Sequence, residues 1–144
     1  IIFNTESYYR DKNYLIPKIC LSAINAKKYN KITKFGNLKI SREWNWCPEQ
    51  SKYLLKFVKK QPQDFILSNG KAYTAKQMLS FAFEYFKIDF KKFVKVSGKF
   101  FRKKDILNKN SDFKNCLKRN HIKRKPVVYG KKLIINMIKF YLNE

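Results

Sequence analysis

Apolar residues recur at helical spacing in three separate stretches, and short β-like runs stand between and before them. This order constrains the fold more than any other feature of the chain. Ile16, Ile19, Cys20, Ala23 and Ile24 share one face of a helix. Met78, Leu79, Ala82, Phe83 and Phe86 do the same, as do Leu133, Ile134, Met137, Ile138, Tyr141 and Leu142. Residues 1–3, 32–35 and 65–67 read as short buried strands. Strands alternating with helices specify an α/β fold. With 144 residues and 44% hydrophobic content, the chain is long enough for one domain with a real core.

Local signals set the boundaries. Residues 4–12 read as a polar loop. Asn13 is expected to cap a helix starting near Tyr14, with Pro17 tolerated in the first turn, where N–H groups lack intrahelical partners. Gly36-Asn37 marks a turn, as does Asn69-Gly70. Pro48 opens a helix to about residue 60, its Leu54, Leu55 and Val58 facing inward and its Lys52, Lys56 and Lys60 facing water. Thr74 and Gln77 have the spacing of a capping box. Residues 88–96 read as extended, Ser111-Asp112 starts a short helix through Leu117, and Pro126 breaks the chain before the closing helix. Residue 1 is Ile, in a strand entered without a preceding turn. The expectation is a carboxyl-terminal part of a longer protein whose earlier sheet strands lie upstream.

Lys and Arg number 33 against 10 Asp and Glu, a net charge of +23. Such a charge calls for an anionic partner: nucleic acid, a membrane surface or a phosphorylated small molecule. Lys far outnumbers Arg and is spread along almost the whole chain. That pattern favours a solvated coat over a polyanion-binding face, because planar bidentate phosphate recognition favours Arg. A basic nucleic-acid-binding module with interspersed aromatics remains the alternative. No apolar run approaches the roughly 18 residues that cross a bilayer, so no membrane partner is expected. Cys20, Cys47 and Cys116 are odd in number and far apart, which fits reduced thiols in a cytoplasmic protein and suggests no metal site.

The glycines are isolated, so neither a P-loop nor a dinucleotide-binding fingerprint can be drawn. His121, the single histidine, sits among basic residues as a surface residue. The Tyr8/Lys12 and Tyr14/Lys18 pairs have the spacing of a dehydrogenase base and its lysine, yet a chain rich in both types repeats that spacing by chance. No catalytic residue is assigned. The scarce Arg residues say more. Arg10 follows a strand end, Arg42 follows the Gly-Asn turn, and Arg102 precedes Asp105. Strand ends are where open α/β sheets place ligands. A forked guanidinium suits a diphosphate, and a nearby carboxylate suits ribose hydroxyls.

In order along the chain stand Phe3-Asn4-Thr5-Glu6-Ser7, Arg10, Tyr14-Leu15-Ile16-Pro17-Lys18-Ile19, Phe35-Gly36-Asn37-Leu38, Arg42-Glu43-Trp44 and Pro62-Gln63-Asp64-Phe65-Ile66. Phe101-Arg102 and Asp105 follow. This ordered set resembles the GDP-mannose 4,6-dehydratases, extended short-chain dehydrogenase/reductases of the NAD-dependent epimerase/dehydratase group. The family pattern has Phe-Asn-His-Glu-Ser-Pro, then Arg, a Phe-Val-x-Arg-Lys-Ile helix start, Leu-Gly-Asn-Leu and Arg-Asp-Trp-Gly. The agreement is close over residues 1 to about 90 and thins beyond. Thr5 stands where the family has His, Tyr8 and Tyr9 where it has Pro-Arg, Pro17 where it has Arg, and Lys103 where it has Pro.

The resemblance implies the carboxyl-terminal, substrate-binding part of the fold with the last strands of a Rossmann sheet. It implies one nucleotide-sugar-binding region over residues 1–144, lacking the catalytic Tyr/Lys and glycine loop and so inactive by itself. It implies a retained NADP and a lyase converting GDP-mannose to GDP-4-keto-6-deoxymannose, in a homo-oligomeric parent. Thr5 and Arg10 would lie near NADP. Asn4, Lys18, Gly36, Asn37, Arg42, Arg102 and Asp105 would line the GDP-sugar site. An epimerase or reductase acting on another nucleotide-sugar is the remaining alternative.

Overall fold

The computed structural model describes residues 1–59, 61–101, 108–109, 111–119 and 126–143. Its elements run β1 (Thr5–Glu6), α1 (Leu15–Tyr29), β2 (Thr33–Phe35), β3 (Ser41–Arg42), β4 (Asn45–Trp46), α2 (Cys47–Val58), β5 (Tyr73–Thr74), α3 (Ala75–Tyr85), β6 (Val94–Val96), β7 (Asn108–Lys109), α4 (Phe113–Arg119) and α5 (Gly130–Leu142). Short 3-10 turns occupy Phe90–Lys92 and Gly98–Phe100.

Helices α1, α3 and α5 pack on one another. Their stripes form the main core: Ile16, Ile19, Cys20, Met78, Leu79, Ala82, Leu133, Ile134, Met137 and Ile138 are each fully buried. The expected faces of these helices are the observed ones. The capping box forms in full at α3, with the Thr74 hydroxyl accepting from the Gln77 N–H and the Gln77 side chain accepting from the Thr74 N–H. Helix α1 ends on Asn30 at φ 53, a left-handed position that Asn tolerates.

The start of α1 departs from expectation. Tyr14 is its N-cap, and Asn13 does not cap it. Asp11 Oδ1 accepts the Asn13 N–H at 2.8 Å and the Asp11 carbonyl accepts the Tyr14 N–H at 3.1 Å. This turn uses Asn13 before the helix begins.

The strands are shorter than the apolar runs suggested. Residues 1–3 form one parallel bridge, Ile2 opposite Leu67, and the regular ladder begins later, at β1. Strand β1 pairs in parallel with β4, β2 in parallel with β6, and β3 sits between antiparallel β5 and parallel β7. Part of 88–96 is the 3-10 turn, so only Val94–Val96 is extended as strand.

Helix α2 faces the other way from its expected orientation. Gln50, Tyr53 and Phe57 are buried, whereas Leu54, Leu55 and Val58 are 45%, 66% and 73% exposed. Rings decide the rotation. Tyr53 meets Phe113 edge-on at 6.1 Å and Phe57 stacks on Phe65 at 4.1 Å, because aromatic rings remove more area from water than Leu or Val. Gln50 adds a donated hydrogen bond to the Leu67 carbonyl, 3.3 Å. Tyr53, Phe57, Leu67, Phe113, Cys116 and Leu117 form a second, smaller core.

One glycine fixes the approach of two turns. A Cβ on Gly36 would stand 2.6 Å from the Phe100 carbonyl oxygen. The β2–β3 turn and the Gly98–Phe100 turn touch backbone to backbone, so neither can yield as a side chain would. Gly36→Ala is expected to cost about 1–3 kcal/mol of stability by overpacking, read from denaturant unfolding. An unchanged midpoint would show that the two turns are not locked together.

Candidate nucleotide-sugar cleft

A cleft of about 530 Å³ opens beside the start of α1. Its walls come from four segments: Asn4, Glu6, Arg10 and Asn13 around β1, Tyr14 and Lys18 from the head of α1, Phe35 to Leu38, Arg42 and Trp44 around the β2–β3 turn, and Phe100. Strand alternation explains the first wall. Asn4 and Glu6 lie on one face of the β1 segment, and Thr5 lies on the other. Helical spacing explains the second, because Tyr14 and Lys18 are one turn apart. The third wall is set by the turn, where Asn37 Oδ1 accepts the Lys39 N–H at 2.9 Å.

The structure therefore brings together Asn4, Arg10, Lys18, Gly36, Asn37 and Arg42 from the expected site residues. Thr5 is not among the lining residues. Its hydroxyl donates to the Phe3 carbonyl at 3.0 Å and bonds the Gln50 side chain, which ties β1 to α2. Arg102, Asp105 and His121 lie outside the described residues.

Three cations line the cleft, and Glu6 is the one carboxylate among its described lining residues. The Arg10 guanidinium carbon lies 3.7 Å from the centre of the Tyr14 ring. The Lys18 ammonium lies 5.0 Å from the Phe35 ring centre and 4.8 Å from that of Phe100. Arg42 donates to the Ser41 carbonyl at 2.7 Å. Arg10 Nε and Glu6 Oε2 are 4.0 Å apart, beyond hydrogen-bond reach, and neither atom has a hydrogen-bond partner. Glu6 is 3% exposed. Burial pushes its carboxyl up to about 7, with Arg10 drawing it partly back. Behind it, burial pushes the Tyr141 phenol up to about 12, and Cys20 and Glu6 add to that rise.

Residue-type reasoning missed Tyr14, Phe35, Trp44 and Phe100 as site residues, because aromatic residues on an α/β chain read first as core. The cleft combines cationic donors, neutral amides and ring faces in a concave surface. That combination suits a ligand with phosphate, hydroxyl and flat apolar parts.

Comparison with solved structures defines the class. The backbone is similar to RMD from Pseudomonas aeruginosa complexed with NADPH, with a TM-score of 0.82 at 10% identity, covering 99% of this chain and 47% of that one. It is similar to DesIV, a dTDP-glucose 4,6-dehydratase from Streptomyces venezuelae with NAD and TYD bound, with a TM-score of 0.78 at 16% identity, covering 99% and 42%. At these identities the likeness concerns the fold alone. It is the α/β fold of short-chain dehydrogenase/reductase dehydratases and epimerases. The sequence carries the assignment further. The GDP-mannose 4,6 dehydratase family profile matches residues 1–125, and the chain belongs to that family. GDP-mannose 4,6 dehydratases 2 and 1 of Arabidopsis thaliana are each 27% identical to it over 141 residues, or 96% of this chain. The chain spans 37% and 38% of the length of these relatives. Among the described residues, no helix is long and apolar enough to cross a membrane.

Proposed function

We propose that the chain is the nucleotide-sugar-binding region, over residues 1–144, of an NADP-dependent lyase that converts GDP-mannose to GDP-4-keto-6-deoxymannose. The observation that carries this reading is the convergence of Arg10, Lys18 and Arg42 from three separate segments on one cleft. A diphosphate needs several cationic donors arranged on one side, and isolated surface cations do not supply that. Asn4 and Asn37 offer amides for sugar and ribose hydroxyls. In this reading Arg102 and Asp105 complete the site.

The dinucleotide-binding glycine loop and the catalytic Tyr/Lys pair are not in this sequence, so the chain alone is inactive in this proposal. NADP, when bound, supplies reversible hydride transfer. The chain's own fit to it rests on Arg10, whose guanidinium is held on the Tyr14 ring and is only partly covered, its Nε buried toward Glu6 and the rest of the side chain open. Such a group is able to meet a phosphate or ribose oxygen. Thr5 would approach the cofactor from the other face of β1. In this reading the parent enzyme works in the cytoplasm as a homo-oligomer.

The test is GDP affinity of the full-length gene product, measured with Arg42→Ala and Arg102→Ala. Each substitution is expected to weaken binding by about 1.5–3 kcal/mol, the range of a lost charge-assisted contact. Unchanged affinity in both removes the assigned cleft. Competition by GDP, UDP and dTDP separates this reading from an epimerase or reductase on another nucleotide-sugar. Oligonucleotide binding with a steep salt slope and no response to GDP would favour a nucleic-acid module instead.

A further inference from the structure

Two cations of the cleft share an unusual support. Lys18 pairs with no carboxylate among the described residues, and its ammonium lies within 5.0 Å of the ring centres of both Phe35 and Phe100. Arg10 lies on the Tyr14 ring, and its ion pair with Glu6, 4.0 Å from Nε to Oε2, is too long to be a hydrogen bond. A carboxylate would hold such cations by neutralising them and occupying their N–H donors. A ring face attracts the charge through its quadrupole and leaves the donors unspent. The Phe100 backbone is held by its turn, with its N–H donating to the Ser97 carbonyl at 3.2 Å. The residue is 51% exposed, lies outside the helical core, and is pinned by the backbone contact with Gly36.

We propose that Phe100 and Tyr14 are positioning residues that hold Lys18 and Arg10 in the cleft with N–H donors left for the diphosphate of the ligand. This rests on the reading of the cleft as a nucleotide-sugar site and adds residues to it that no phosphate contact would reveal. Phe35 forms the buried side of the Lys18 clamp and Phe100 the open side. Phe100 acts through the ammonium and does not itself bind the base.

The experiment compares GDP and inorganic pyrophosphate as probes of the full-length gene product. Phe100→Leu is expected to weaken both by a similar factor of about 2- to 30-fold, the range of a cation–π contact at exposed to desolvated sites. Phe100→Tyr, which keeps the ring face, is expected to retain wild-type affinity for both. Tyr14→Leu is expected to repeat the pattern through Arg10, and it keeps the test open should Phe100→Leu fold poorly. Loss of GDP affinity with pyrophosphate unaffected would mean that the ring stacks on the base, which overturns the inference. Equal affinities in wild type, Phe100→Leu and Tyr14→Leu also overturn it while leaving the nucleotide-sugar reading intact. A wild-type protein that binds neither probe overturns that reading and the inference with it.

Discussion

Glu43→Ala is expected to destabilise the protein by roughly 3–5 kcal/mol, since it removes a buried charged acceptor serving several donors at once. Glu43 is 2% exposed. Its carboxylate accepts the Gly70 N–H at 2.8 Å, the Ser111 N–H at 2.5 Å and the Ser111 hydroxyl at 2.8 Å, and it bonds the Ser68 hydroxyl as well. Two segments far from it in sequence, Ser68–Gly70 and Ser111, thus converge on one side chain. Asn69 adds a donated bond to the Trp44 carbonyl at 2.8 Å. Alanine leaves the buried Ser68 hydroxyl and the half-buried Gly70 and Ser111 donors without this acceptor, and a fully buried unsatisfied donor costs about 1–3 kcal/mol. The loss is expected to fall on the smaller core, where Phe113 begins α4 directly after Ser111-Asp112. Hydrogen exchange should rise there first, before the core of α1, α3 and α5 opens. A denaturant midpoint shifted by less than about 1 kcal/mol would show that these loops hold without the carboxylate.

Glu6→Gln is expected to make the protein more stable at pH 8 by about 3 kcal/mol while changing little at pH 4. Burial raises the Glu6 carboxyl from 4.5 to about 7. Between those values the folded protein keeps a proton that the unfolded chain has released. Stability is therefore fully present below about 4.5 and falls as pH rises through about 7. Each pH unit of displacement is worth about 1.4 kcal/mol. Arg10, Cys20 and Tyr141 are the titratable or charged groups coupled to Glu6. Cys20 and Tyr141 are themselves pushed up by burial, so they stay neutral over this window and Arg10 supplies the compensating charge. Gln cannot ionise, so the variant should show a flatter stability profile from pH 4.5 to 7. Parallel profiles for the two proteins would mean that Glu6 titrates as an ordinary exposed carboxyl.

The helices were legible because their apolar stripes are long and uninterrupted, and because Thr74 and Gln77 mark a start unambiguously. The rotation of α2 was not, since Leu54, Leu55 and Val58 have the same period as Gln50, Tyr53 and Phe57 and only the partners Phe65 and Phe113 choose between them. The short strands were misjudged for a related reason. A run such as Ile1-Ile2-Phe3 shows apolarity, whereas a ladder needs a partner, and here the pairing is one bridge to Leu67 beside a bond from the Ile1 amino group to the Phe65 carbonyl. Within the cleft, the placement of Arg10 and Arg42 followed from a strand end and a Gly-Asn turn. The ring supports under Arg10 and Lys18 did not, because Phe100 reaches Lys18 across 82 residues through a contact that only Gly36 permits. Glu43 was equally opaque, as two of its donors are backbone N–H groups that carry no sequence signature and the other two are serine hydroxyls far away in the chain.

The most direct measurement is a structure of the full-length protein with GDP bound. The diphosphate is expected between Arg10, Lys18 and Arg42, with the Lys18 ammonium still lying against Phe100. GDP bound elsewhere, with these three cations pointing to bulk solvent, would contradict the account.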